Sequence, residues 1–274
     1  MSDTTGGSAA SRGANMPGQG GVPSFARPGF ANIAPYILVN GAAKFVEFLK
    51  AVFEGIELLR VPRKDGSLMH AEVRIGNSVI ELSDADEQHA AAPATVHLYV
   101  NDPEEAYRRA LSAGATSIYP VGEHPSGDLQ GCVKDKFGNV WYVAKVQGWD
   151  PGPNGPLSVQ PYLHLRGAEK MIPFAEKAFR AQTLGVAWSD ERKVLHATIQ
   201  VEHATFEIDE ADEQWPPMPC QLHMYVPDVD ACYAAALAAG AVSAEAPTDK
   251  EYGERSAGLK DPFGNTWYVA TYRG

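Results

Sequence analysis

The residues of this chain that are best suited to chemistry recur in pairs whose members lie 126 positions apart. The pairs consist of histidines, glutamates and tyrosines: Tyr36 and Tyr162, His70 and His196, Glu81 and Glu207, His97 and His223, and Tyr142 and Tyr268. Imidazole and carboxylate groups transfer protons or bind divalent metals, and tyrosines suit a pocket for an organic molecule. The chain is therefore expected to carry two copies of one kind of site.

A turn-and-strand stretch also occurs twice, so the repeat extends beyond isolated residues. The two copies run from Lys134 to Ala144 and from Lys260 to Ala270, and both read Lys-Asp-x-Phe-Gly-Asn-x-Trp-Tyr-Val-Ala. Asp and Asn favour tight turns, Gly tolerates a positive φ, and Trp-Tyr-Val favours a strand. Each copy predicts a turn followed by a strand, and the repetition predicts two copies of one domain.

Hydrophobic periodicity predicts the elements that position these residues. The order β-α-β-β-β occurs twice in the first half, and the second half repeats it without net insertion. The predicted first-half strands cover 35–39, 57–61, 68–75, 78–82, 95–100, 117–119, 132–133 and 140–146, and the helices cover 42–53, closed by Gly55, and 103–113, closed by Gly114. The fold class is thus α+β, with two tandem domains that each contain two βαβββ modules.

Strand alternation places the polar residues on one face. His70 and Glu72 alternate with apolar residues, and a two-residue Gly76-Asn77 turn sets Glu81 opposite Glu72. In the second half the same face holds Tyr162, His164, His196, Thr198, Glu207, Asp209, His223, Tyr225 and Tyr268. Such a face can be the solvent side of a half-buried sheet. Because His and Tyr at repeated positions are typical of partly buried cavities, we favour a binding cavity.

Length, charge and composition restrict the class of protein further. The 274 residues divide into a tail over 1–31, a first domain over 32–147, a Pro-rich linker over 148–158 and a second domain over 159–274. The tail is rich in Gly and Ser and is expected to be disordered. A net charge of −11 disfavours nucleic-acid binding. The sequence has neither a secretion signal nor a membrane span, and its three cysteines form no CxxC pair. We therefore expect a soluble cytoplasmic protein that binds no membrane.

The chain resembles the vicinal oxygen chelate superfamily, which includes glyoxalase I, bleomycin-resistance proteins and extradiol dioxygenases. The resemblance rests on the paired βαβββ modules, on Val-Ile-Glu-Leu at 79–82, on Val-His-Leu-Tyr-Val at 96–100 and on Asp-Pro-Phe-Gly-Asn-x-Trp at 261–267. It covers about residues 33–146 and 159–272 and implies that each domain curls a mixed, largely antiparallel sheet into a cup. Since single-domain relatives form homodimers, it also implies a monomeric pseudo-dimer or a homodimer.

Enzymes of this superfamily bind a divalent metal through side chains on the first and last strands of the modules. The resemblance places these positions on Ala34, Glu81, Thr95 and Tyr142 in the first half, and on Gln160, Glu207, Gln221 and Tyr268 in the second. Only one Glu in each domain matches a ligand. A displaced site in the second domain remains an alternative, in which His164, Glu207 and His223 hold Zn, Fe, Ni or Mn. The first domain has Leu38 in place of His164.

Two functions compete on these observations. In the first, which we favour, each cup binds a small organic molecule without any reaction. The acidic composition is compatible with a cationic ligand, although an acidic surface more often serves solubility. The ligand-binding residues are then Tyr36, His70, His97, Tyr142, Tyr162, His196 and Tyr268. In the alternative, the protein is a metal-dependent lyase, isomerase or dioxygenase with its active site in the second domain, and Glu207 and Glu81 are the candidate catalytic residues. Group transfer ranks last, because no glycine-rich cofactor loop is present.

Overall fold

The computed structural model describes residues 24–124, 127–146 and 157–274, and these residues form sixteen strands and four helices. The helices are α1 (Ala42–Phe53), α2 (Pro103–Ser112), α3 (Ala168–Phe179) and α4 (Val229–Ala238). The strands of the first half are β1 (Ile33–Val39), β2 (Ile56–Pro62), β3 (Leu68–Ile75), β4 (Ser78–Asp84), β5 (Thr95–Tyr99), β6 (Thr116–Glu123), β7 (Leu129–Lys134) and β8 (Val140–Lys145). Those of the second half are β9 (Val159–Leu165), β10 (Gln182–Trp188), β11 (Val194–Val201), β12 (Ala204–Glu210), β13 (Gln221–Tyr225), β14 (Val242–Lys250), β15 (Glu254–Lys260) and β16 (Thr266–Tyr272).

Local sequence explains most of these boundaries. Helices α2 and α4 start at Asp102 and Asp228, whose carboxylates accept hydrogen bonds from backbone N–H groups of the first turn. Helix α1 has its predicted bounds, but Glu54 rather than Gly55 takes the left-handed conformation at its end. The predicted strands over 117–119 and 132–133 are too short, because β6 and β7 pair along most of their length through register shifts that break the alternation.

The strands form two eight-stranded mixed sheets. Sheet A has the order β14-β15-β16-β13-β1-β4-β3-β2, and sheet B has the order β10-β11-β12-β9-β5-β8-β7-β6. The α+β class and the four βαβββ modules are confirmed. We expected the two modules of each half to share a sheet, and the strand pairing corrects this expectation: each sheet takes one module from each half.

Two antiparallel strand pairs join the halves at the centres of the sheets. In sheet A, β1 pairs with β13, which sets Ala34 opposite His223. In sheet B, β5 pairs with β9, which sets His97 opposite Gln160. Each sheet therefore depends on both halves of the chain for its central hydrogen bonds.

The apolar faces of both sheets and all four helices share one core. Trp141 of sheet B packs against Phe53 of α1, with ring centroids 4.7 Å apart, and Trp267 of sheet A packs against Phe179 of α3 at 4.6 Å. Both indoles are fully buried. The repeated turn-and-strand stretch thus anchors the helices through its two indoles. No helix in the described ranges is both long and apolar enough to cross a bilayer.

The segment before β1, residues 24–31, is ordered against sheet A, which corrects the expectation of disorder through residue 31. Ala26 and Phe30 are buried in a small cluster with Val79, Tyr225 and Ala270. The backbone N–H of Tyr272 donates to the carbonyl of Phe25 at 2.9 Å. Residues 1–23 and most of the predicted linker lie outside the described residues. We call residues 24–31 the strap.

Candidate functional site

Each sheet has one face turned away from the helices, and the polar residues lie there. We call this face cup A in sheet A and cup B in sheet B. Cup A contains Tyr36, His70, Glu72, Glu81, Gln221, His223, Tyr225, Glu254 and Tyr268, and cup B contains His97, Tyr99, Tyr142, Gln160, Tyr162, His164, His196, Glu207 and Asp209. Both faces are largely buried: Glu72, Glu81, His97, His164 and Glu207 are each at most 5% exposed. Solvent exposure does not account for these polar groups.

A histidine–glutamate pair occupies the middle of each cup and joins the two halves of the chain. In cup A, Nδ1 of His223 lies 2.7 Å from Oε1 of Glu81. In cup B, Nδ1 of His97 lies 2.8 Å from Oε2 of Glu207. The pairs are related by the 126-residue repeat, so the molecule places one matched histidine–glutamate pair on each sheet.

The charge states of these pairs follow from their surroundings. Burial opposes ionisation of Glu207, but His97 and His196, which face its two carboxylate oxygens, lower the pKa of this carboxyl well below its usual range. Burial also opposes protonation of His223, but the adjacent Glu81 raises the pKa of this imidazole. Glu207 is thus held in its ionised form, and the protonated form of His223 is favoured beside Glu81.

Further carboxylates and rings complete cup A. The Tyr225 hydroxyl donates to Oε1 of Glu254 at 2.6 Å. His70 donates toward Glu72 at 3.1 Å, and the ring of Tyr36 stacks on His70 at 5.9 Å and packs on Tyr268 at 5.3 Å. The burial of the Tyr36 hydroxyl, together with the charge of Glu81, raises its pKa to about 12. Cup A is therefore an aromatic surface that contains three buried carboxylates.

The strap places a cation on this acidic surface. Arg27 forms an ion pair with Glu72, and its guanidinium lies 4.0 Å from the ring centre of Phe30. Phe30 in turn packs edge-on against Tyr225. The strap thus covers one end of cup A and partly neutralises it.

Breaking this ion pair is expected to destabilise the protein in a pH-dependent way. Arg27→Ala leaves the nearly inaccessible Glu72 with His70 as its remaining partner, and we expect the free energy of unfolding to fall by about 1–3 kcal/mol at pH 7. Burial opposes ionisation of Glu72, but its hydrogen bonds to His70 and Arg27 lower the pKa of this carboxyl below its ordinary value of 4.5. The stabilisation that the ionised Glu72 provides is therefore fully present above pH 4.5. It is lost as the pH falls through the lower pKa of this carboxyl in the folded state.

Urea unfolding of the wild type and of Arg27→Ala between pH 3 and pH 7 measures this difference. Arg60→Ala is the control, because Arg60 forms exposed ion pairs with Glu47 and Glu57 that contribute little. If the difference in the free energy of unfolding between the wild type and Arg27→Ala is as large at pH 3 as at pH 7, the stabilisation does not come from the charge of Glu72.

In cup B one carboxylate lies between two imidazoles. Glu207 contacts His97 through Oε2, and its Oε1 lies 3.4 Å from Nε2 of His196. The ring of Tyr99 stacks on His97, with centroids 4.4 Å apart. Because both carboxylate oxygens face imidazole nitrogens, Glu207 orients these two rings.

A second pair and an aromatic cluster lie beside this group in cup B. Nδ1 of His164 lies 2.7 Å from Oδ1 of Asp209. Trp215, from the loop after β12, stacks on His164 at 5.4 Å and packs on Tyr142 at 5.5 Å. Tyr142 also packs on Tyr162 at 5.2 Å. An indole and two phenol rings therefore form an aromatic wall next to the buried acids.

The structure does not assemble the displaced metal site that the sequence suggested. His164 and Glu207 lie in sheet B, whereas His223 lies in sheet A against Glu81. The positions that the resemblance assigns to metal ligands are no better suited. Glu81 and Glu207 lie in different sheets, Tyr268 donates its hydroxyl to Gln221 at 3.1 Å, and the remaining positions carry Ala, Thr, Gln and Tyr. Across residues 24–124, 127–146 and 157–274, no three His, Cys, Asp or Glu side chains converge as ligands. These donor sets do not fit the metal centre of the superfamily's enzymes.

The other predicted site residues divide between the cups. Tyr36, His70, Glu81, His223 and Tyr268 lie together in cup A, and His97, Tyr142, Tyr162, His164, His196 and Glu207 lie together in cup B. Pairing within each half had instead placed His97 with Glu81 and His223 with Glu207. The two histidines exchange partners because the sheets join modules from different halves.

Sequence reasoning missed several residues of the site. Glu254 reads as a surface residue next to Arg255, but it is buried and bonded to Tyr225; alternation along β15 was the available signal, since Gly258 pairs with Tyr268. Arg255, the next residue, forms surface ion pairs with Asp230 and Asp249. Arg27 and Trp215 lie outside the regular elements, and no periodicity marks them.

Comparisons with known proteins agree with this fold. The sequence model of one protein family, the Glyoxalase/Bleomycin resistance protein/Dioxygenase superfamily, matches residues 29–143. An uncharacterized protein of Mycobacterium bovis is 35% identical in an alignment of 124 positions that covers 41% of this chain and 82% of that protein. An uncharacterized protein of Mycobacterium tuberculosis is also 35% identical in an alignment of 124 positions that covers 73% of its length.

Two similar solved structures extend the likeness over both halves. Glyoxalase I of Zea mays superposes with a TM-score of 0.69 at 14% identity, over 87% of this chain and 92% of that one. A putative dioxygenase of Bacillus subtilis superposes with a TM-score of 0.60 at 10% identity, over 86% and 83%. The two sheets and their cups define a protein of the vicinal oxygen chelate type. The chain belongs to the glyoxalase/bleomycin-resistance/dioxygenase superfamily.

Proposed function

We propose that the protein binds a small organic molecule in its cups and that binding does not require a metal. The observation that carries this proposal is the burial, in both cups, of a polar and aromatic face that the repeat reproduces: a His–Glu pair with tyrosine rings around it. Ordinary solvent-facing sheets do not bury such groups, whereas ligand pockets combine aromatic walls with a few oriented polar atoms.

The ligand class follows from the charges. The buried residues of the described ranges include Glu72, Glu81, Glu207 and Glu254 but no lysine or arginine. Rings of Tyr and Trp also attract cations. We therefore propose that the ligand is cationic or neutral, with an apolar body. Glu81 and Glu207, each paired with a histidine, remain the candidates for proton transfer if a reaction occurs.

Tryptophan fluorescence provides a direct test in cup B. Trp215 lies against His164 and Tyr142, so a ligand that enters cup B is expected to change its emission. Titration with organic cations is expected to give a saturable change in the wild type that Trp215→Phe abolishes. Trp188→Phe is the control, because Trp188 lies at the end of the edge strand β10 and is 42% exposed.

A screen that measures thermal stability complements the titration. Stabilisation by divalent metals, without stabilisation by any organic molecule, contradicts the proposal. Stabilisation by organic cations in the presence of a chelator supports it.

A further inference from the structure

The two cups differ in how the second nitrogen of their central histidine is partnered. In cup A, Nε2 of His223 lies 3.8 Å from Oε2 of Glu254. In cup B, Nε2 of His97 is buried and has no hydrogen-bond partner among the described residues. The residue that corresponds to Glu254 is Asp128, whose side chain is one methylene shorter. Since an unpaired buried nitrogen is costly, Nε2 of His97 requires a partner from outside the described chain.

The hydrogen-bonding role of this nitrogen follows from Glu207. An ionised carboxylate only accepts hydrogen bonds, so Nδ1 of His97 carries the proton that faces Glu207. In the neutral imidazole, Nε2 then has a free lone pair and accepts. Its position on the opposite side of the ring directs it away from Glu207. The partner that fits Nε2 of this neutral ring is a hydrogen-bond donor.

The charge of cup B specifies the donor further. Glu207 and Asp128 are buried, and Asp209 is half-buried. Cup A also buries carboxylates, and there Arg27 supplies a positive charge through its ion pair with Glu72. The repeat places Pro153 at the position of Arg27 and Thr198 at the position of Glu72, so these two positions of the sequence cannot form the corresponding ion pair.

We propose that cup B binds a small arylalkylamine in its protonated form, and that an ammonium N–H donates to Nε2 of His97. The body of the amine packs against the aromatic wall of Tyr142, Tyr162 and Trp215, and the nearby acids balance its charge. In cup A, the guanidinium of Arg27 supplies a comparable positive charge from the chain itself. The inference rests on the proposed small-molecule function and adds the ligand class and the recognising atom.

Isothermal titration calorimetry with three matched probes tests the inference: benzylammonium, benzyl alcohol and benzoate. The full chain is expected to bind benzylammonium best, benzyl alcohol less well and benzoate least. A benzylammonium-dependent shift of the His97 Nε2 resonance in ¹⁵N NMR locates the contact.

Two substitutions of His97 distinguish the loss of its Nε2 atom from a loss of folding. His97→Asn keeps a donor near Nδ1 for Glu207 but loses Nε2, and it is expected to weaken benzylammonium binding by about tenfold or more. His97→Gln supplies an amide oxygen near the Nε2 position and is expected to lose less. His203→Asn, at an exposed histidine on the β11–β12 turn, is expected to bind like the wild type. Thermal unfolding of each variant shows whether the fold is retained.

The outcomes distinguish the two proposals. Binding of benzyl alcohol or benzoate in preference to benzylammonium overturns the inference but leaves small-molecule binding intact. Equal benzylammonium affinity in folded His97→Asn also overturns it. If none of the three probes binds and the wider screen finds no organic ligand, both proposals fail.

Discussion

Asp135→Ala and Asp261→Ala are each expected to lower the free energy of unfolding by about 3–5 kcal/mol, because each carboxylate holds a complete turn together. Oδ1 of Asp135 accepts from the backbone N–H groups of Phe137 and Asn139 at 2.8 and 2.9 Å. Its Oδ2 accepts from Nδ2 of Asn139 and Nε1 of Trp141, both at 2.9 Å. Alanine leaves four donors without this acceptor, at least three of them buried.

The repeat supplies an internal check on this prediction. Asp261 makes the same four hydrogen bonds, to Phe263, Asn265 and Trp267, so the two substitutions are expected to cost similar amounts in urea unfolding. Asp135→Asn is expected to cost about half as much, because its amide oxygen still serves the two backbone donors. Asp190→Ala, at an exposed turn, is the control. Losses below about 1 kcal/mol for both alanine variants contradict this role.

The same stretch shows how much of the fold the sequence predicts. A tight turn, a strand after it and an indole on the helix side all follow from local rules, and the structure confirms them at Trp141 and Trp267. The pairing of Glu72 with Glu81 is also local, since the two-residue turn at Gly76 fixes the register. Short-range geometry was therefore predictable.

The contacts that depend on which two modules share a sheet could not be predicted from the sequence. Strands β5 and β13 are repeats of one another, so β1 can pair with either in nearly the same register. The sequence pattern cannot distinguish these two pairings, yet they decide whether Glu81 meets His97 or His223. The strap escaped prediction for a different reason: Arg27 and Phe30 lie in an irregular segment, and only tertiary contacts order it.

Cutting the chain between its halves is expected to leave a stable two-fragment complex. With a site for a sequence-specific protease inserted between Val146 and Leu157, both fragments should elute together at the position of the intact protein. The physical reason is that β1 pairs with β13 and β5 pairs with β9, so separation exposes the central edges of both sheets.

Size-exclusion chromatography and native mass spectrometry of the cleaved protein measure this association. Residues 24–146 produced alone are expected to form a homodimer, because β1 of one copy can take β5 of another in place of β13. Cleavage at a second inserted site in the exposed turn at residues 64–66 is the control for nicking, since that turn only links β2 to β3. Two folded, separately eluting fragments at micromolar concentration contradict the pairing. In that case the two modules of each half share one sheet, so that His97 pairs with Glu81 and His223 pairs with Glu207.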